Sequence, residues 1–306
     1  MAALRGSTTS LLAIAEVTPG VTPATPVMKE MPLVSFSPRG AWGVIRSNAI
    51  RNNPFPDKIL NGSKTQDIGV EWEMGQEHDL LLETFMGAAF ATNSLKFTDA
   101  LKTLSVESQA GAGSSLFDHF LGFHLTTLGI SVSASDTAPV QCTASGRAFS
   151  STLDDAATIA TTVTPAGNSD PFTFIDANLT LNSVLTPIVS GSINLERVVN
   201  PLNEIGNDEP SEYVPDTATV TGTMTVAYRN GDQSAIFENF LNVPQVYVFG
   251  GAGSAVSRTL TIPQSKFVSF GRAINGRGVR LQEINWEAQY DAASGTIATF
   301  TRDDTP

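Results

Sequence analysis

The chain has 306 residues, enough for about two domains of ordinary size, and 41% of them are hydrophobic, so each half can bury a core. Charged residues make up only 16%, well under the roughly 25% typical of soluble proteins, so much of the surface must be Ser, Thr, Asn, Gly or Ala. The formal charge of −12 excludes gripping DNA or an anionic membrane by counterion release, and the single cysteine, Cys142, excludes an intrachain disulfide or a thiolate zinc cage.

In chain order, residues 1–30 read as an arm. The apolar run Leu11-Leu12-Ala13-Ile14-Ala15 is stopped by Glu16, too early for a signal-peptide core. Thr18-Pro19-Gly20, Thr22-Pro23 and Thr25-Pro26 exclude helix and give an extended or turning lead-in. A short strand is expected at Leu33–Phe36. A long polar segment, Arg39 to Asp67, then carries Trp42, Ile45, Ile50, Phe55 and Ile59 and reads as a long loop between strands. Val70 to Met74 alternates with the period of a strand, and a helix begins at Asp79. Further strands are expected near residues 104–106, 123–125, 130–132 and 140–149, with a connection over 151–171. The second half replays the order: strands at 179–181 and 188–199, a polar loop from Asn200 to Asp216, a strand from Thr219 to Tyr228, a helix, and strands at 259–262 and 279–290.

The replay is clearest at the helices. Leu80 to Gly87 and Ala235 to Asn242 lie 155 residues apart (235 − 80) in a chain whose half-length is 153. Both place apolar residues at i, i+1, i+4 and i+5: Leu81, Leu82, Phe85, Met86 and Ile236, Phe237, Phe240, Leu241. Glu83 matches Glu238, and Asp79 and Ser234 stand in step as N-caps. Thr259 to Ile262 answers Thr103 to Val106 at an offset of 156. The expected fold is mainly β: two tandem β-sandwich or barrel repeats, each with one packed helix and a long inter-strand loop. The expected division is an arm at 1–30, a first domain at 31–160 and a second at 161–306.

Motifs for chemistry are missing. There is no G-x-S-x-G elbow, no Walker sequence and no G-x-G-x-x-G opening a helix after a strand. His78, His119 and His124 form no H-E-x-x-H or H-x₃-H array, and Cys142 reads as a small buried hydrophobe. Gly111-Ala112-Gly113-Ser114 and Gly250 to Ser254 sit between strands, where hairpin turns explain them. Glu71 and Glu73 share a strand face with no His or Arg nearby in sequence, which is a solvated face rather than a catalytic pair. No enzymatic activity, metal or cofactor is expected. No stretch approaches the ~20 apolar residues of a membrane span, so the chain reads as soluble and kept inside the cell that makes it.

These residues resemble the tail tube proteins of long non-contractile-tailed bacteriophages. Glu16-Val17-Thr18-Pro19-Gly20-Val21-Thr22-Pro23-Ala24-Thr25-Pro26 is similar to that family's lead-in. Glu71-Trp72-Glu73-Met74 and the helix opening Asp79-Leu80-Leu81-Leu82-Glu83 fall where the family has a strand and a helix, and Tyr290 to Thr296 resembles its closing turn. The resemblance implies a virion protein that assembles as rings of six tube domains around a continuous inner barrel, stacked into a conduit for the genome. Two tube domains per chain then imply a homotrimeric ring, with a homohexamer lined by one repeat as the fallback. Implied partners are copies of itself and tail proteins such as the tape measure and terminator, with DNA passing through unbound and no membrane involved. On this reading Trp42, Ile45, Ile50, Phe55 and Ile59 stack against the next ring, and acidic residues line the lumen. The alternative is a loop folded onto its own domain. The other function class is a tandem β-sandwich that binds carbohydrate at a cell surface.

Overall fold

The computed structural model describes residues 10–46, 59–109, 116–134, 139–167, 169–173, 175, 177–228, 232–250, 256–273 and 280–304. In the first half, the strands are β1 (Ser10–Ala15), β2 (Val27–Glu30), β3 (Ser35–Arg46) and β4 (Ile59–Glu73). Helix α1 (Asp79–Met86) follows, then β5 (Ser94–Lys96), β6 (Leu104–Gln109), β7 (Phe117–Ser133), β8 (Gln141–Ala148), β9 (Ser150–Asp155) and β10 (Thr162–Thr164). In the second half come β11 (Ala177–Leu181), β12 (Val184–Leu185), β13 (Ile188–Leu202) and β14 (Glu212–Ala227). Helix α2 (Asp232–Glu238) precedes β15 (Val243–Phe249), β16 (Ser257–Ala273), β17 (Leu281–Ala288) and β18 (Thr299–Asp303).

Eight of these strands form one antiparallel sheet in the order β3-β4-β8-β7-β13-β14-β17-β16. Its central joint is β7 against β13, where Leu128 faces Leu195 and Ile130 faces Ile193. The alternation read from the sequence has a clear cause here. Ile68, Val70 and Trp72 of β4 point into the core, while Asp67, Gly69 and Glu71 point to the other side. Two outer sheets close the core. The first runs β10-β2-β1-β6-β7-β9 and the second β12-β11-β15-β16-β18-β5. The 17-residue strands β7 and β16 belong to both layers. Each turns the corner at a bulge, between Leu125 and Thr127 or between Phe267 and Ser269.

The same pairing scheme therefore occurs twice: β1, β2, β3, β4, β6, β7, β8 and β9 pair as β11, β12, β13, β14, β15, β16, β17 and β18 do. Irregularities recur with it. The break between Trp42 and Val44 opposite Lys64 and Asn61 matches that between Arg197 and Val199 opposite Ala218 and Pro215. The break between Leu104 and Val106 opposite Phe123 and Phe120 matches that between Val243 and Gln245 opposite Ser265 and Ile262.

Several expectations need correction. In the segment Arg39 to Asp67, read as a long loop, Arg39–Arg46 and Ile59–Asp67 are paired strands that run as far as Arg46 opposite Ile59, and residues 47–58 lie outside the described residues. Likewise Asn200 to Asp216 is strand at both ends, over 200–202 and 212–216, with Leu202 opposite Glu212. Both were misread because Gly, Asn, Ser and Lys along an exposed ribbon leave no alternation to detect. Within the stretch read as an arm, β1 and β2 are members of the first outer sheet. The counterpart of β6 is β15, not the Thr259 segment, which lies in β16.

The helices differ. In α1, Leu81, Leu82, Phe85 and Met86 are all buried. Gly87 ends the helix in the left-handed conformation at φ 73°, its N–H donating to the Glu83 carbonyl, as glycine without a Cβ does at low cost. Asp79 is the first helical residue, not a cap, and its carboxylate is used elsewhere. In α2, Ile236 and Phe237 are half-buried against the core, but Phe240 and Leu241 lie beyond the helix end and are exposed. Aligned on their first residues, or on Gly87 and the left-handed Phe240, the helices are 153 apart rather than 155 (232 − 79, 240 − 87). A two-residue slip turns a helix face by about 200°, so the second apolar set does not face where the first does.

Candidate conduit face and assembly edges

The eight-stranded sheet has one face in the core and one face that is polar along its whole width. That second face carries Ser37, Asp67, Glu71, Thr143, Ser145, Thr127, Ser131, Ser192, Asn194, Thr221, Thr223, Asn285 and Glu287, each opposite or beside the next in register. Hydroxyl pairs tie neighbouring strands: Thr127 Oγ1 to Ser145 Oγ at 2.7 Å, and Ser192 Oγ to Thr223 Oγ1 at 2.7 Å. The charged members are Asp67, Glu71, Glu73, Glu196, Glu283 and Glu287 against Arg39, Arg147 and Lys266; Arg147 is paired to Asp67 at 3.1 Å, and Lys266 stands opposite Glu287. The face is thus acidic, non-aromatic and covered with short side chains. Sequence alone could not assign it, because alternation marks two faces without saying which is covered.

The sheet ends in two edges. Among the described residues β3 pairs with β4 alone, and β16 from Lys266 to Ala273 pairs with β17 alone. Each edge is a row of backbone donors and acceptors able to take another strand.

The joint between the halves shows how such an edge is covered within the chain. Past its bulge, the β13–β14 hairpin reaches over the first half. Tyr213 is 3% exposed, with its ring 4.6 Å from His124 and 4.9 Å from Phe149. Lys64 donates its N–H to the Asp208 carbonyl at 2.7 Å and pairs its ammonium with Glu209 at 2.9 Å. Arg197 is 2% exposed, donates to the carbonyls of Ala100 and Thr98, and lies over the Phe97 ring at 4.4 Å. Burial lowers its pKa to about 10. Burial also lowers that of His124 to about 4, against the help of the Gly122 carbonyl.

A second lock joins the halves through charge. Arg258 of β16, almost fully buried, donates to both oxygens of Asp79 at 3.0 and 3.3 Å and to Asp304 at 2.6 Å, and Arg302 of β18 donates to Asp79 at 2.8 Å. The segment between α1 and β6 adds β5 to the edge of β18, with Lys96 Nζ donating to the Ser294 carbonyl at 2.8 Å. The corresponding connection from α2 to β15 spans only residues 239–242.

Of the residues singled out in the sequence, Trp42, Ile45 and Ile59 are exposed on the β3–β4 hairpin, while Ile50 and Phe55 lie outside the described residues. His78, His119, His124 and Cys142 are buried. Burial also raises the Cys142 pKa. His119 stands 3.2 Å from Glu107, whose carboxylate also accepts from Thr158 Oγ1 and the Ile159 N–H, so this pair closes the first outer sheet. Among the described residues no group of three or more His, Cys, Asp or Glu is arranged to hold a metal. Sequence reading gave Glu16 no role beyond the lead-in. Its buried carboxylate accepts from Gly20 N at 2.7 Å, Thr103 Oγ1 at 2.6 Å, Ser105 Oγ at 2.7 Å and Gly122 N at 2.9 Å, fastening the lead-in to β6 and β7. The closing turn is held by Asp291, which accepts from Ser294 N and Gln264 Nε2, both at 2.8 Å.

The chain belongs to the phage tail tube protein family, whose model matches residues 6–288. That family is structural and non-enzymatic, so this is a phage tail structural protein and a component of the virion tail. Membership implies assembly with copies of itself and with other tail proteins. No curated protein sequence matches the chain. Among solved structures it is similar to the anti-feeding prophage cap, a tube-terminating cap, at 12% identity and a TM-score of 0.34, over 44% of this chain and 94% of that one. No helix among the described residues is long and apolar enough to cross a membrane.

Proposed function

We propose that the chain polymerises as stacked homotrimeric rings into the phage tail tube, with the polar face of the eight-stranded sheet lining the channel through which the genome passes. The observation that carries this is the repeated pairing scheme within one continuous sheet. Each half contributes four strands, so both halves present the same face on the same side. Three copies then give six repeats and 24 strands (three times eight). At about 4.8 Å per strand the circumference is about 115 Å and the backbone diameter about 37 Å before tilt, with room for a DNA duplex inside. A fallback ring of six chains lined by one repeat would have to break the β7–β13 joint or turn the second half's polar face out of the channel.

In this reading the two open edges meet. The β7–β13 joint supplies the register: shifting β13 by 155 and β7 by 142 sets Gly40 opposite Phe270 and Ala41 opposite Ser269 in the next copy. A lumen lined by Asp67, Glu71, Glu196, Glu283 and Glu287 repels phosphate, so DNA slides instead of binding. Ile45 remains for contact with the next ring, as do Ile50 and Phe55, which lie outside the described residues. Native mass spectrometry of isolated rings tests the count. Three chains are expected; six chains would reject the duplicated-domain ring.

A further inference from the structure

We infer that the outer part of the β3–β4 hairpin docks on the second half of a neighbouring copy in the same ring, as the outer part of the β13–β14 hairpin docks on the first half of its own chain; this rests on the ring reading above. The two hairpins share their register and bulge, so their residues correspond one to one. Trp42 takes the place of Arg197, Val44 that of Val199 and Ile59 that of Tyr213. All six lie on the core side of their hairpins, since each stands in register with the inward-pointing positions before the bulge. Arg197, Val199 and Tyr213 are 2%, 6% and 3% exposed, whereas Trp42, Val44 and Ile59 are 47%, 51% and 65% exposed. The same position on the same element is thus covered once and left bare once, and each bare position carries a large apolar side chain.

The surface that would receive them is also bare. In the first half Arg197 lands on the connection between α1 and β6, at Thr98 and Ala100. The matching connection in the second half is residues 239–242, and it exposes Phe240 and Leu241. Tyr213 lands on His124 and Phe149; the matching positions, shifted by 142 and 140, are Lys266 and Gln289, next to exposed Tyr290. Phe240 is held in the left-handed region at φ 49°, a conformation that disfavours a bulky residue, with Lys266 over its ring at 3.9 Å. A strained and exposed phenylalanine fixed at the landing point of an exposed tryptophan is a built contact, not a stray surface residue. The occupant is therefore a second copy of this chain. The hairpin that the sequence assigned wholly to ring stacking is divided: its core side serves the ring, and Ile45 and Leu60 on its other side are left for stacking.

Cysteine cross-linking with a short bismaleimide tests the contact in the assembled tube of the full chain, where the native Cys142 is buried. The Ile59→Cys, Gln289→Cys double variant should link chain to chain up to a three-chain product, and the Leu60→Cys, Gln289→Cys control should not. Charge substitution gives an independent readout: Trp42→Asp with Ile59→Asp should leave a folded protomer that no longer yields rings, while Ile45→Asp should still yield them. Rings that form normally from the Trp42→Asp, Ile59→Asp protein, or tubes whose 59–289 pair never links, would overturn the inference while leaving the ring reading intact. A wild-type chain that forms no ring would sink the ring reading and this inference with it.

Discussion

The two long hairpins of this molecule have the same register, the same bulge and opposite fates. The β13–β14 hairpin lies across the first half and buries Val199 and Tyr213; the β3–β4 hairpin extends past the end of the sheet and leaves Val44 and Ile59 in solvent. Local geometry is the same, so local geometry does not decide burial. What differs is whether the chain supplies the neighbour. In the middle of the sheet one half covers the other, and at its two ends the chain has no further half to offer. Polar contacts fasten the covered joint, where the Lys64 N–H and ammonium of the β3–β4 hairpin meet the Asp208 carbonyl and the Glu209 carboxylate of the β13–β14 hairpin, whereas Trp42, Val44 and Ile59 present plain apolar surface.

The comparison can be broken at the helices first, where the largest effect is expected. Phe85 is fully buried, so Phe85→Ala should cost the free protomer about 3–5 kcal/mol. Phe240→Ala, on an exposed side chain, should stay within about 0.5 kcal/mol. Equal losses in urea unfolding would mean that the two helices pack alike after all.

The covered hairpin closes over His124, and pH probes that closure. Burial holds the imidazole neutral in the folded chain, with a pKa of about 4 against 6.5 when unfolded. The unfolded state therefore binds the extra proton between these values, and stability is complete above pH 6.5 and falls as pH drops toward 4. The loss is about 3 kcal/mol from this group alone. His78, whose pKa burial also lowers, acts in the same direction. A His124→Gln protein should show a flatter profile across that window in chemical denaturation; an unchanged profile would remove His124 from the account.

Tyr213→Ala and Ile59→Ala compare the hairpins directly. The first should destabilise the free protomer by about 3 kcal/mol. The second should change it by less than about 0.5 kcal/mol, because Ile59 is already exposed. Glu16→Gln should cost about 2 kcal/mol, since it replaces a carboxylate that accepts four hydrogen bonds and leaves donors at Gly20 or Gly122 poorly matched. One further effect is a gain. Phe240→Gly relieves the left-handed backbone by about 1 kcal/mol, raising protomer melting temperature while weakening ring formation.

Much of the core was legible in the sequence, because half-buried strands such as Val70–Met74 and Thr219–Tyr228 alternate by physical necessity. The first helix was legible for the same reason. The hairpins were not: a ribbon with both faces wet has no pattern, so Gly40, Gly43, Asn61 and Ser63 looked like loop. The second helix was misjudged by two residues because the sequence match Leu81-Leu82 to Ile236-Phe237 is chemical, whereas the helix begins at Asp232, 153 residues after Asp79. The acidic face was foreseen as a surplus of Asp and Glu but not as residues, since facing depends on strands from both halves lying side by side. The exposed apolar residues were found early; their division between two sides of one hairpin required the register.

The central claim is that the joint between copies repeats the joint between halves. A reconstruction of the assembled tube by electron cryomicroscopy, made without imposed symmetry, tests it most directly. The account predicts three chains per ring and a closed barrel in which β3 of one copy lies beside β16 of the next, Gly40 opposite Phe270, with the Trp42 ring against Phe240. Six chains per ring, or a β3 edge that faces a neighbouring ring rather than β16, would contradict it.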